Sequence, residues 1–215
     1  MRKIKLLFVM CISIMLIISL PVFGDYFTHG MTLIGQAAAK GPPAGWNLLI
    51  GTNWKYGARG CAVRESYENP ARAANLLIAI AQRLIIFANT TTETRVHEDS
   101  QDPIRPRRNR YWMDAIHQLD LADKYIRKLV KTNPQLCANM AIRIATIYYN
   151  SIPTNPNYIQ MQRNYVAKAR YHLYDNNIHS AHGYIKDIKN KDQRAAMLKR
   201  IKALHQNWKT RNSSF

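Results

Sequence analysis

Apolar positions recur at three- and four-residue intervals from Asn69 onward, the spacing that puts them on one face of an α-helix. Asn69-Pro70 reads as a cap followed by a first-turn proline. The helix it opens runs to about Asn89, apolar on most sides through Leu76, Leu77, Ile78, Ile80, Leu84, Ile85, Ile86 and Phe87. Such a helix is covered by its neighbours, and Asn75, Gln82 and Arg83 argue against a bilayer span. A second helix is predicted from about Tyr111 to Lys131, with Trp112, Ile116, Leu119, Ala122, Ile126 and Leu129 on one face. Asn133-Pro134 starts a third, ending at Asn150. A fourth follows the Ser151–Pro156 connection and reaches about Tyr174. Asp175-Asn176-Asn177 is then predicted as a tight turn before a short helix carrying Ile178, Ala181, Ile185 and Ile188. A last helix follows Asn190, with Met197, Leu198, Ile201, Leu204, His205 and Trp208 on one side. No segment shows convincing strand alternation. The predicted fold class is all-α: an irregular bundle or short array of helical hairpins, five to six helices in all.

The first 68 residues read differently. Arg2, Lys3 and Lys5 precede the apolar run Leu6–Leu20, then Pro21 and Val22-Phe23-Gly24. This layout is that of a secretory signal peptide over residues 1–24, cleaved after Gly24; an uncleaved N-terminal anchor is the alternative. Residues 25–68 hold seven glycines from Gly30 to Gly60 and Pro42-Pro43. That density predicts an extended glycine-rich arm or loose hairpin, with Trp46, Trp54 and Tyr56 pinning it to the helical domain of residues 69–215. A polar, proline-broken stretch at about 90–109 reads as an exposed loop.

Charge sharpens the picture. The chain has 31 Lys plus Arg against 13 Asp plus Glu, a net charge of +18 that falls to +15 without Arg2, Lys3 and Lys5. Two concentrations stand out. Arg105, Arg107, Arg108 and Arg110 lie beside Tyr111 and Trp112, and Lys199, Arg200, Lys202 and Lys209 give the last helix a basic face. These eight are the candidate partner- or anion-binding residues. An acidic protein is the first expected partner, an anionic lipid or polymer the second, and nucleic acid ranks below both. Export leaves Cys61 and Cys137, which an oxidising compartment would join as a disulfide tethering arm to body.

Two stretches resemble tetratricopeptide-type helical hairpins. Ala122, Tyr125, Ile126, Leu129 and Pro134 fall at spacings similar to that repeat, and Tyr165, Ala169, Asn176, Ala181 and Ile185 resemble its helix–turn–helix part. The resemblance covers about a third of the chain. It implies a protein-binding scaffold and brings no catalytic residues.

Catalytic signatures are missing: there is no nucleophile elbow, phosphate loop or metalloprotease helix. His179 and His182 share a helix face, yet no acid or cysteine at suitable spacing completes a metal site. Asp114, Asp120 and Asp123 are read as helix-surface acids pairing with Lys124, Arg127 or Lys128. No cofactor and no metal are therefore expected. The reading is an exported, non-enzymatic helical interaction protein, periplasmic or secreted. The first alternative is a basic polyanion or membrane-surface binder. The second is a hydrolase, which would need a pocket joining a histidine to a carboxylate.

Overall fold

A computed structural model describes residues 25–91, 107–150 and 165–213; the predicted signal peptide and most of the predicted polar loop lie outside these. The described residues form eight helices and no strand. They are α1 (Tyr26–Lys40), α2 (Ala44–Ile50), α3 (Ala58–Glu68), α4 (Pro70–Thr90), α5 (Arg107–Arg127), α6 (Pro134–Asn150), α7 (Tyr165–Lys186) and α8 (Lys191–Ser213).

Asn69 caps its helix as the sequence predicts, and Asn133 and Asn190 cap the helices expected to start after them. The Asn69 side chain accepts from Arg72 N at 3.1 Å, Asn133 from Leu136 N at 3.0 Å, and Asn190 from Asp192 N and Gln193 N at 2.9 and 3.0 Å. Each satisfies backbone donors that a helix start leaves orphaned. Helix α4 is the centre of the core. Leu76, Leu77, Ile78, Ile80 and Leu84 are fully buried, each contributing about 1.5–3 kcal/mol of apolar burial. It is also the one described helix long and apolar enough to cross a membrane, but 61% of its most apolar 18-residue window is buried against neighbours. Helices α4 and α5 pack most extensively, and α6 and α7 next; α8 lies across α6 and α7.

The predicted arm is not extended: it folds into α1, α2 and α3. Its glycines serve turns and close approaches rather than flexibility. Gly41 ends α1 with φ +64°, a conformation that disfavours any side chain. Gly60 lies so close to the 52–54 backbone that a Cβ would meet it at 2.5 Å. Asp25 caps α1 and, with Glu65, holds Arg72, which also stacks on Phe27 at 4.8 Å. The expected pinning by aromatics holds for Trp46, while Tyr56 is 68% exposed and Trp54 packs within residues 25–68. Trp46 Nε1 donates to Asp114 Oδ2 at 2.7 Å beneath Arg110, and Trp54 packs edge-on to Tyr26.

Two further expectations are corrected. Asp175-Asn176-Asn177 is no turn, since α7 runs through it. Asn177 folds its amide back onto Leu173 O at 2.7 Å, a bond that lets a turn-favouring residue stay helical. The second tetratricopeptide-like stretch therefore lies on one continuous helix. Nor are Cys61 and Cys137 joined; both are buried free thiols. Cys61 sits beside Gly30 and Leu76 and donates to Trp54 O at 3.0 Å. Cys137 donates to Ile126 O at 3.3 Å, in the space between α5 and α6. The two occupy different interhelical spaces. Burial raises both thiols to about 11, so neither forms a thiolate at neutral pH.

Candidate anion-binding groove

Helices α4 and α6 contain no Asp or Glu, and α8 has only Asp192. Where the three meet, they line a groove of about 680 Å³ through Gln82, Ile85, Ile86, Asn89, Asn139, Arg143, Thr146, Ile147, Asn150 and Arg200. No carboxylate is among the described lining residues. The two guanidiniums are held by neutral amides. Arg143 donates to Asn75 Oδ1 at 3.0 Å and to Gln82 Oε1 at 3.4 Å, and Arg200 to Asn139 Oδ1 at 2.7 Å. An amide orients a guanidinium without cancelling its charge. The pair thus presents two positive charges and unused fork donors to solvent. The floor beside them is apolar: Ile85 and Ile147 are buried, and Ile86 remains 45% exposed. Cationic rim, amide positioning and apolar floor together suit an acidic, partly apolar ligand.

Of the eight candidate residues, the groove takes one, Arg200. Lys199 and Lys202 are exposed on α8, and Lys209 lies in its last turns. Arg110 is committed to stacking on Trp46 at 4.1 Å. Arg107 and Arg108 begin α5, four residues earlier than predicted, and Arg105 lies outside the described residues. Arg143 was not among the candidates. Its signal was present: it is the one charged residue of the 17-residue α6, set within the apolar run Met140-Ala-Ile-Arg-Ile.

A second cavity, of about 350 Å³, lies along α5 and is lined by His117, Asp120, Leu121, Asp123, Lys124 and Arg127. It does bring a histidine together with carboxylates. Desolvation raises the Asp120 carboxyl, with His117 and Lys124 acting in the opposite direction. The Asp123 carboxylate is engaged by Arg127 at 2.7 Å, the i,i+4 pairing expected from sequence. Arg59 Nη2 lies 3.1 Å from His117 Nε2. Positive and negative groups balance in this pocket, whereas the α4–α6–α8 groove is uniformly positive. His179 and His182 are exposed on α7, and no group of three His, Cys, Asp or Glu side chains placed to hold a metal occurs among the described residues.

No protein-family model, curated protein or solved structure matches this chain.

Proposed function

We propose that this is a non-enzymatic helical interaction protein that takes an acidic protein partner in the groove between α4, α6 and α8. The supporting observation is the Arg143–Arg200 pair, held by Asn75, Gln82 and Asn139 over exposed Ile86. Structural arginines ordinarily pair with the protein's own carboxylates; here the walls supply none. The export signal read at residues 1–24 places such an interaction in the envelope or outside the cell. Tagged protein would be exposed to source-cell envelope and medium, then washed at rising salt. The reading requires a discrete protein held by the native chain and by Lys189→Gln/Lys191→Gln, but released from Arg143→Gln/Arg200→Gln. Retention that is indifferent to the arginines overturns it.

The hydrolase reading ranks second, favoured by the joining of His117 to Asp120 in one pocket. Every described lining residue comes from α5, and two of them are already engaged by Arg59 and Arg127. Hydrolysis of a model ester or glycoside that disappears in Asp120→Asn would move it to first place.

A further inference from the structure

Asp25 directly follows Gly24, the residue after which the sequence predicts cleavage, and the fold puts it to use at once. Its carboxylate caps α1, accepting from Phe27 N at 3.2 Å and Thr28 Oγ1 at 2.5 Å, and pairs with Arg72. Arg72 Nε in turn donates to Glu65 Oε1 at 3.1 Å. One guanidinium thus ties the start of α1 to the end of α3 and the first turn of α4. Glu65 is 3% exposed, and Glu68 follows it at the end of α3.

Charge in this corner runs against the rest of the chain. Overall, 31 basic residues face 13 acids; here three acids, Asp25, Glu65 and Glu68, gather with Arg72 between them. Burial, with Asp25 and Glu68 adding to it, pushes the Glu65 carboxyl up against the pull of Arg72. A buried carboxylate in this position is short of positive charge.

Cleavage would release a cation at this place. Hydrolysis of the Gly24–Asp25 amide adds one water: its oxygen ends in the Gly24 carboxylate, and the amide nitrogen leaves on Asp25 as an α-amine, protonated at neutral pH. Chain geometry bounds where that charge sits. The Asp25 nitrogen is two residues before Phe27 N, hence no more than about 7 Å from it. The Phe27 N–H is also shared with the Glu65 carboxylate. The ammonium therefore falls within about 10 Å of Glu65, the screening length at 0.1 M salt, and a buried carboxylate is screened less than that. Two effects compete. The start of a helix carries about half a positive charge and repels an ammonium. Three carboxylates against one guanidinium leave a larger negative excess, so attraction wins.

We propose that the Gly24–Asp25 bond is the processing site and that the α-ammonium released on Asp25 is a structural cation of this corner, completing the charge around buried Glu65. The catalyst is an export endopeptidase that accepts a small residue before the cut. The proposal rests on the export expected from the sequence and is independent of the groove, so the failure of one leaves the other standing.

Two measurements on the whole protein test it. Protein recovered from source-cell envelope and medium is sequenced from its amino end and weighed intact. Asp25 is expected as the first residue; a chain that keeps residues 1–24, or begins elsewhere, overturns the processing site. The recovered protein is then acetylated at its α-amine, verified by mass, and its thermal midpoint is compared with that of the unmodified protein at low and high salt. At a helix start without neighbouring acids, acetylation removes a repelled charge and raises the midpoint. Here it is expected to lower the midpoint by about 2–4 °C at low salt. That loss should shrink at high salt and in Glu68→Gln, a change at an exposed position. A midpoint that rises or stays put overturns the structural role of the ammonium, even where Asp25 is the first residue. A loss that neither salt nor Glu68→Gln reduces has its cause outside the acid cluster and overturns it as well.

Discussion

Single atoms make the sharpest predictions here. The buried Tyr148 hydroxyl has no hydrogen-bond partner among the described residues, and its burial, reinforced by Asp120 and Asp123, pushes its ionisation upward. A buried hydroxyl with no partner costs about 1–3 kcal/mol. Tyr148→Phe should therefore raise stability by about 1 kcal/mol in urea titration; a loss of similar size would reveal an unseen partner. The cysteines make a prediction about pH. Their folded thiols titrate near 11 instead of the ordinary 9.0. The stability they contribute is complete below pH 9 and is lost as pH rises through 11. The midpoint of thermal unfolding should fall more steeply between pH 9 and 11 in the native chain than in Cys61→Ala/Cys137→Ala. Alkylation of the folded protein at pH 8 should be slow at both positions and complete once urea is added. A disulfide would leave neither thiol to label. The cysteine pair illustrates what a sequence withholds: it shows that two thiols exist, but their separation depends on which helices meet, and that is settled by packing alone.

Helices were legible where apolar spacing and capping agreed. Asn69-Pro70, Asn133-Pro134 and Asn190 each start a helix, because the signal is a local hydrogen bond. Residues 25–68 were not legible, because glycine has two meanings. As a helix-interior residue it costs about 1 kcal/mol; as a contact surface it lets backbones approach. Gly35 and Gly60 separate these meanings. A Cβ at Gly35 meets nothing within 4 Å, so Gly35→Ala should stabilise α1 by about 0.5–1 kcal/mol. A Cβ at Gly60 meets the 52–54 backbone at 2.5 Å, so Gly60→Ala should cost about 1–3 kcal/mol. Denaturant midpoints moving the same way for both would contradict this packing. Trp46 tests the attachment of α2. Trp46→Phe leaves Asp114 without its indole donor and should cost about 1–2 kcal/mol while groove affinity stays unchanged. The run Asp175–Asn177 was misread for a related reason: turn propensity is a local preference, and burial of Tyr174, Ile178 and Ala181 along one stripe outweighs it.

At the scale of the molecule, charge was visible in composition, but its focus was not. Summed basicity pointed to the Arg105–Arg110 run and the α8 lysines, since those cluster in sequence. The groove instead gathers Arg143 and Arg200 from helices 57 positions apart, and only the meeting of α4, α6 and α8 brings them together. Exposed lysines on α8 attract polyanions in a way that salt abolishes, whereas a guanidinium pair over an apolar floor retains part of its affinity. The most direct test of the account is a side-chain footprint: arginine Nε–H and Asn/Gln amide resonances followed by NMR while an acidic peptide with aliphatic side chains is titrated at physiological salt. The account predicts shifts confined to Arg143, Arg200, Gln82, Asn139 and the Asn75 amide. Shifts spread evenly over Arg64 and the other exposed arginines, fading together as salt rises, would contradict it.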